Sequence, residues 1–352
     1  RFDGGSRNRT PECFRAGFQD WYGFENLNQH FNSSIYELHN PDPTPLEGYE
    51  TDALTDKAID YLHQYEGEQP LFLVLSVTPP HFPLVAPDEW ERFDPGELQI
   101  RANFHDSPEM RDNLATYYTM IENLDWNIGR LNECLQNRPG FENTLQVYFS
   151  DHGDFTGDYS MPEKTHGTLQ DCLVHVPFLI KPPASMPIQS GTREQLVELV
   201  DFPATVADLL DVNLGHPHFG RSLLPMMADP DIPHRDAVFA EVGCHAGEMQ
   251  ARNSEVSDIP PTSLYWPQVQ LGKDGSQPMA YGAMCRTDRY KLIRRLEGVD
   301  ELYDMENDPG ETTNLVDRPE HAATVQLLQL RLLDFYMATA DVVPYEQDSR
   351  RV

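Results

Sequence analysis

A chain of 352 residues with 39% hydrophobic and 10% aromatic residues can bury one large core and a smaller one, which excludes a disordered polymer. Its 57 acidic and 26 basic residues leave a net charge of −31, a field that repels nucleic acid and anionic membranes, and no Lys/Arg-rich tract offsets it. The longest clean apolar run, Leu71 to Val77, is far too short to cross a bilayer.

The first periodic segment is 51–66, where Leu54, Ala58, Leu62 and Tyr65 share one helical face. Gly67 to Pro70 breaks it, and 71–77 then reads as a buried strand closed by Pro79-Pro80. Ser107-Pro108 opens a long second helix in the favoured cap-then-proline order. Its apolar positions fall at Leu114, Tyr118, Ile121, Leu124, Ile128, Leu131 and Leu135, and Pro139-Gly140 ends it. Leu145–Phe149 and Val176–Ile180 follow as strands. Strand, long helix, strand is a β-α-β unit, so the expected fold is α/β, with a mainly parallel (mixed) sheet sandwiched by helices. Ligands of such sheets bind beyond the carboxyl ends of the strands, where His81 and the Asp151-His152 pair both fall.

From about residue 226 the pattern changes. Ala237–Val242, Ala283–Arg295 and Glu301–Met305 read as antiparallel strands, and a helix over roughly 319–340 carries Val325, Leu328, Leu332 and Phe335. The expected division is a catalytic α/β part over 1–225 and a smaller α+β subdomain over 226–352. The polar stretch 245–280 is long for a loop, and loops of that length often act as lids or specificity elements. The five cysteines are scattered and never in C-x-x-C, which argues against a disulfide framework and a structural zinc site. Asn8-Arg-Thr10 and Asn32-Ser-Ser34 match the glycosylation triplet, a pattern that recurs by chance. The sequence sets neither compartment nor oligomeric state.

The stretch "VYFSDHGDFTGDYSMPEKTHG" concentrates the chemistry, with an apolar strand ending in Ser-Asp-His-Gly and Lys164 thirteen residues past Asp151. A hard cation takes oxygen donors and manganese or zinc accepts imidazole, so Asp151 and His152 are candidate ligands, with Gly153 permitting the turn that aims them together. The tripeptide also suits a plain polar turn. Lys164 is either a solvated surface charge or a catalytic cation. His81, held between prolines in Thr78-Pro-Pro-His-Phe-Pro83, either contacts an anion and protonates a leaving group or merely closes its loop. His166 and His175 read as structural.

Taken together, these segments resemble a type I sulfatase of the alkaline phosphatase superfamily. "GFQDWYGFEN" (17–26), "YETDALTDKAIDYL" (49–62), "PLFLVLSVTPPHFPLVAP" (70–87) and the region 147–183 are similar to the family's segments. "LVDFPATVADLL", "HFGRSLLPMM" and "DELYDMENDPGETTNL" follow in the family's order. The resemblance implies an alkaline phosphatase-like fold and hydrolysis of sulfate monoesters, of a small molecule or a glycan. It further implies that Asp151 and His152 bind a divalent metal, usually Ca2+, with Mg2+ or Mn2+ as alternatives. Lys164 would contact the sulfate, and His81 would contact it and assist the departing alkoxide.

The family's nucleophile is a formylglycine made from Cys or Ser in a Cys/Ser-x-Pro-x-Arg motif. Neither Cys134-Leu-Gln-Asn-Arg138 nor the Cys13 segment fits that motif, and the Gly-Lys-Trp-His-Leu-Gly motif is absent too. The expectation is therefore that an N-terminal segment carrying the nucleophile is missing from this chain. Within 245–280, His245, Tyr265, Trp266 and Lys273 could line a sugar-binding face or pack in a core. The alternative functions are a phosphonate monoester or phosphodiester hydrolase of the same superfamily, and a non-catalytic binding module.

Overall fold

The computed structural model describes residues 9–24, 28–67, 69–164, 167–186, 188–243 and 281–342. Residues 1–99 with 106–141 form one compact unit, and residues 100–105 with 142–352 form a second.

In the first unit, β1 (Tyr22–Gly23), β2 (Ser34–Glu37) and β3 (Thr44–Pro45) make a small antiparallel sheet. Ile35 and Leu46 of this region and Leu54 of α1 (Glu50–Gln64) form its core, with Leu75 and Val77 packed against them. Helix α1 buries Leu54, Ala58 and Leu62, a spacing of four that keeps one face inward. Helix α2 (Pro108–Gln136) starts as the sequence predicts: Ser107 Oγ accepts from Met110 N at 3.2 Å, and Pro108 takes the first helical position. Its buried face differs from the expected apolar stripe. Ile121 is exposed, and Asn123 and Asn127 are buried instead, both donating to Asp52 Oδ1 of α1 at 2.9 and 2.6 Å. A polar seam thus joins the two helices, with each buried amide donating to a carboxylate.

The second unit holds β4 (Gln146–Phe149), α3 (Asp171–Val174), β5 (Phe178–Lys181), α4 (Asp201–Leu209) and α5 (Leu224–Ala228). A meander follows, of β6 (Val238–Val242), β7 (Gly282–Arg286), β8 (Tyr290–Arg295) and β9 (Glu301–Asp304), and α6 (Ala322–Thr339) succeeds it. Both faces of the meander are covered and bury apolar side chains, and the face away from α6 also carries Arg286, Lys291 and Arg295. Cys285, Leu292 and Leu302 pack on Leu328 and Leu332 of α6. Val238, Met284, Ile293 and Tyr303 form the opposite face with Leu169. Burying each large side chain is worth about 1.5–3 kcal/mol, which makes this sheet the best-anchored part of the unit.

The sheets correct the expected fold class. Every ladder among the described residues is antiparallel, not mainly parallel. The β-α-β inference required Leu71–Val77 to pair as a strand, and among the described residues it joins no ladder. Phe72 and Val74 there stand 66% and 56% exposed. Strand β4 instead pairs with β5, Val147 opposite Ile180, through a loop and a one-turn helix that reverse the chain. Helices and sheets are still both present, so the α/β character stands while the strand direction does not. The segment 283–295, read as one strand, is the hairpin of β7 and β8, turning at Thr287 with Tyr290 N donating to Thr287 Oγ1.

Candidate functional site

The loop leaving β4 carries Asp151, His152, Asp154 and Lys164. Its first turn is closed by the chain itself: Ser150 Oγ donates to His152 O at 2.6 Å, and His152 N donates to Asp151 Oδ1 at 2.9 Å. His152 Nδ1 lies 2.8 Å from the Gly153 carbonyl, which can only accept, so Nδ1 carries a proton. Nε2 sits 3.7 Å from Asp151 Oδ2, on side chains 43% and 85% exposed. An imidazole nitrogen and a carboxylate oxygen at that separation can share a cation or a proton.

Gly153 is required where it stands. A Cβ there would lie 2.0 Å from the Cys172 carbonyl oxygen of α3, while Gly153 N donates to Leu173 O at 2.8 Å. Beyond it, burial pushes the Asp154 carboxyl upward; the Lys164 ammonium, the Phe155 N–H and the Lys164 N–H oppose that. Asp154 and Lys164 are therefore electrostatic neighbours in one loop.

The rest of the loop is held hard. Thr156, Gly157, Tyr159 and Ser160 all have positive φ, a conformation that persists only where surroundings impose it. Arg101 Nε grips both oxygens of buried Asp158 at 2.6 and 2.8 Å, and Arg101 Nη2 reaches Thr156 Oγ1 at 3.1 Å. His105 N donates to Gly157 O, and Tyr159 OH donates to Gly310 O at 2.9 Å.

His81 belongs to the first unit. Its Nδ1 lies 2.5 Å from the Phe82 carbonyl, and its own carbonyl accepts from His30 Nε2 at 2.8 Å. His30 is buried and held below the usual histidine range, chiefly by that burial. Glu50 at the start of α1 is fully buried, its acid pushed up by burial, and accepts from Thr78 Oγ1 at 2.7 Å. The His81 loop is thus braced by a buried imidazole on one side and a buried carboxyl on the other.

Asp151, His152 and Lys164 share one loop, as the sequence suggested, and His81 lies in the other compact unit. His245, Tyr265, Trp266, Lys273 and His166 lie outside the described residues. His175 follows α3 and is largely exposed, 4.0 Å from Asp171. Sequence reasoning missed Asp154, although it stands inside the quoted motif. It also missed His30 and Glu50, whose partners are remote in sequence. Asp151 and His152 are chemically suited to a divalent cation as an oxygen donor and an imidazole whose Nδ1 is held on the Gly153 carbonyl. Two donors are not a full shell, and among the described residues no group of three or more His, Cys, Asp or Glu is gathered for a metal ion.

A family model described as Sulfatase matches residues 2–212. An ulvan-active sulfatase of Formosa agariphila is 27% identical over 335 residues, covering 92% of this chain and 59% of that protein. The chain spans between 50% and 59% of the length of this and two further curated relatives. Among solved structures, that of BT4656 in complex with its substrate D-glucosamine-2-N,6-O-disulfate superposes with a TM-score of 0.70 at 18% identity, covering 94% of this chain and 78% of that one. The phosphonate monoester hydrolase of Agrobacterium radiobacter gives 0.67 at 21% identity, covering 85% and 63%. These likenesses establish an alkaline phosphatase-like fold.

Proposed function

Since the chain belongs to the sulfatase family, we propose that the protein hydrolyses sulfate monoesters, with a sulfated glycan as substrate. The observation that carries this reading is the Asp151-His152 turn at the end of β4, where His152 Nδ1 is held on the Gly153 carbonyl and Nε2 stands 3.7 Å from Asp151 Oδ2. Of the relatives it matches, one is named an ulvan-active sulfatase and another an N-acetylglucosamine-6-O-sulfatase, which supports a glycan substrate, while a third is named an arylsulfatase.

In this reading Asp151 and His152 hold a divalent cation, Ca2+ or otherwise Mg2+ or Mn2+. When bound, it would draw charge from the sulfate oxygens and stabilise the charge that develops during S–O cleavage. Lys164, an electrostatic neighbour of Asp154, would add a positive charge to the same group. His81, its Nδ1 fixed on the Phe82 carbonyl, is assigned the role of acid for the departing alkoxide by the family resemblance alone. The sequence contains no Cys/Ser-x-Pro-x-Arg position for a formylglycine, so the roles assigned to this chain are binding, charge neutralisation and proton delivery.

The test is sulfate release by the whole protein from sulfated mono- and oligosaccharides and an aryl sulfate. The expected result is turnover that chelation abolishes and Ca2+ restores. Asp151→Asn and Lys164→Met should each lower kcat/KM by about 100-fold or more. Turnover of phosphonate monoesters with no sulfate release would replace the reading with the phosphonate hydrolase one. No turnover of either class would leave a binding module.

A further inference from the structure

A buried lysine supports the candidate metal loop from far along the chain. Lys291 of β8 is fully buried, and its ammonium lies 2.9 Å from Asp171 Oδ1 and 2.7 Å from Glu311 Oε1. Glu311 Oε2 accepts from Asp171 N at 2.7 Å, and Arg286 closes on the other oxygen of Asp171. Asp171 opens α3, a helix of four residues. Such a helix is too short to hold itself, so its placement falls to its contacts.

What α3 presents to the loop is backbone. Leu173 O accepts from Gly153 N at 2.8 Å, and Cys172 O fills the space where a side chain at 153 would stand. Gly153 O in turn bonds His152 Nδ1 at 2.8 Å and so sets that imidazole. A second path runs from the Glu311 turn, where Tyr159 OH and Asn103 Nδ2 both donate to Gly310 O. Buried ion clusters are often no more stabilising than apolar replacements of the same volume, so stability alone is a weak reason for three buried charges here.

We propose that Lys291, with Asp171 and Glu311, is a positioning group for the Asp151-His152 pair: the ion cluster fixes α3, and α3 fixes the turn from which both side chains project. The functional weight of this inference rests on reading Asp151 and His152 as metal donors. The positional coupling does not.

Two readouts on the whole protein separate those statements. The first is amide hydrogen exchange at Gly153 and across 150–157 without metal. The second is the Ca2+ dissociation constant by titration calorimetry. The variants are Lys291→Met, Lys291→Arg and the milder Glu311→Gln. The control is Asp201→Asn, which breaks another buried ion cluster, Asp201 with Arg235 and His234. Lys291→Met and Glu311→Gln should speed Gly153 exchange and weaken Ca2+ binding by roughly 10- to 100-fold. Lys291→Arg should recover part of both, and Asp201→Asn at a matched melting temperature should change neither. A lowered melting temperature with wild-type exchange at Gly153 would overturn the proposal. Should Lys291→Met fail to fold, Glu311→Gln decides. If the wild type binds no Ca2+, the donor reading fails and the exchange data still decide the coupling.

Discussion

His30 shows how far a single side chain can be decisive without being conspicuous. It bonds the carbonyl of His81 from 51 residues away, and no spacing rule connects the two. Asp151 and His152 stand out in the sequence because adjacency at a strand end is itself a signal, whereas His30 and Glu50 acquire meaning only once folding buries them. Burial holds the His30 pKa below its ordinary 6.5. As pH falls through 6.5, the unfolded chain takes up a proton that the folded one resists, so this contribution is full above 6.5 and is lost as pH falls toward the folded value. Glu50 has the opposite sign. Its raised acid gives stability that is full below 4.5 and lost as pH rises through the folded value. His30→Gln should therefore flatten the fall in melting temperature between about pH 7.5 and 5.5 relative to the wild type, the ordinary histidine range being crossed there. Parallel slopes for the two proteins would show that His30 does not carry the dependence.

At the scale of elements, the helices and the antiparallel strands after residue 226 were readable, and the strand partners before it were not. Periodicity and the Ser107-Pro108 pair locate α2 to within a residue or so, because both signals act through local backbone geometry. Ser107→Ala should cost about 1 kcal/mol, measured by chemical denaturation with an unchanged m-value. A cost near zero would mean that solvent satisfies Met110 N equally well. Strand direction depends on a partner distant in sequence. The run 71–77 has all the composition of a buried strand, yet Phe72 and Val74 remain exposed, because composition records the preference for burial and not the neighbour that fulfils it. The Asn123 and Asn127 seam was equally hidden, since a hydrophobic pattern counts polar residues as outward-facing.

For the whole molecule, the net charge of −31 opposes the approach of a sulfated polymer. Added salt screens this repulsion over a Debye length of about 10 Å at 0.1 M. Raising salt from about 20 to 150 mM should increase kcat/KM several-fold for a sulfated polysaccharide and much less for a small aryl sulfate, measured by initial rates. Equal responses would place the limiting step after encounter. The order of the family's segments was legible along nearly the whole chain, but the ion cluster of Lys291 was not, because its members are separated by 120 and 140 residues. That separation also bears on synthesis. Contacts of such range form late, after the intervening chain has been made and collapsed. A ribosome that has released everything through β8 still holds back Glu311, so on the proposed coupling the turn bearing Asp151 and His152 gains its final support only after residue 311 has emerged. A nascent chain stalled before that point would carry the Asp151-His152 turn without the ion cluster behind it.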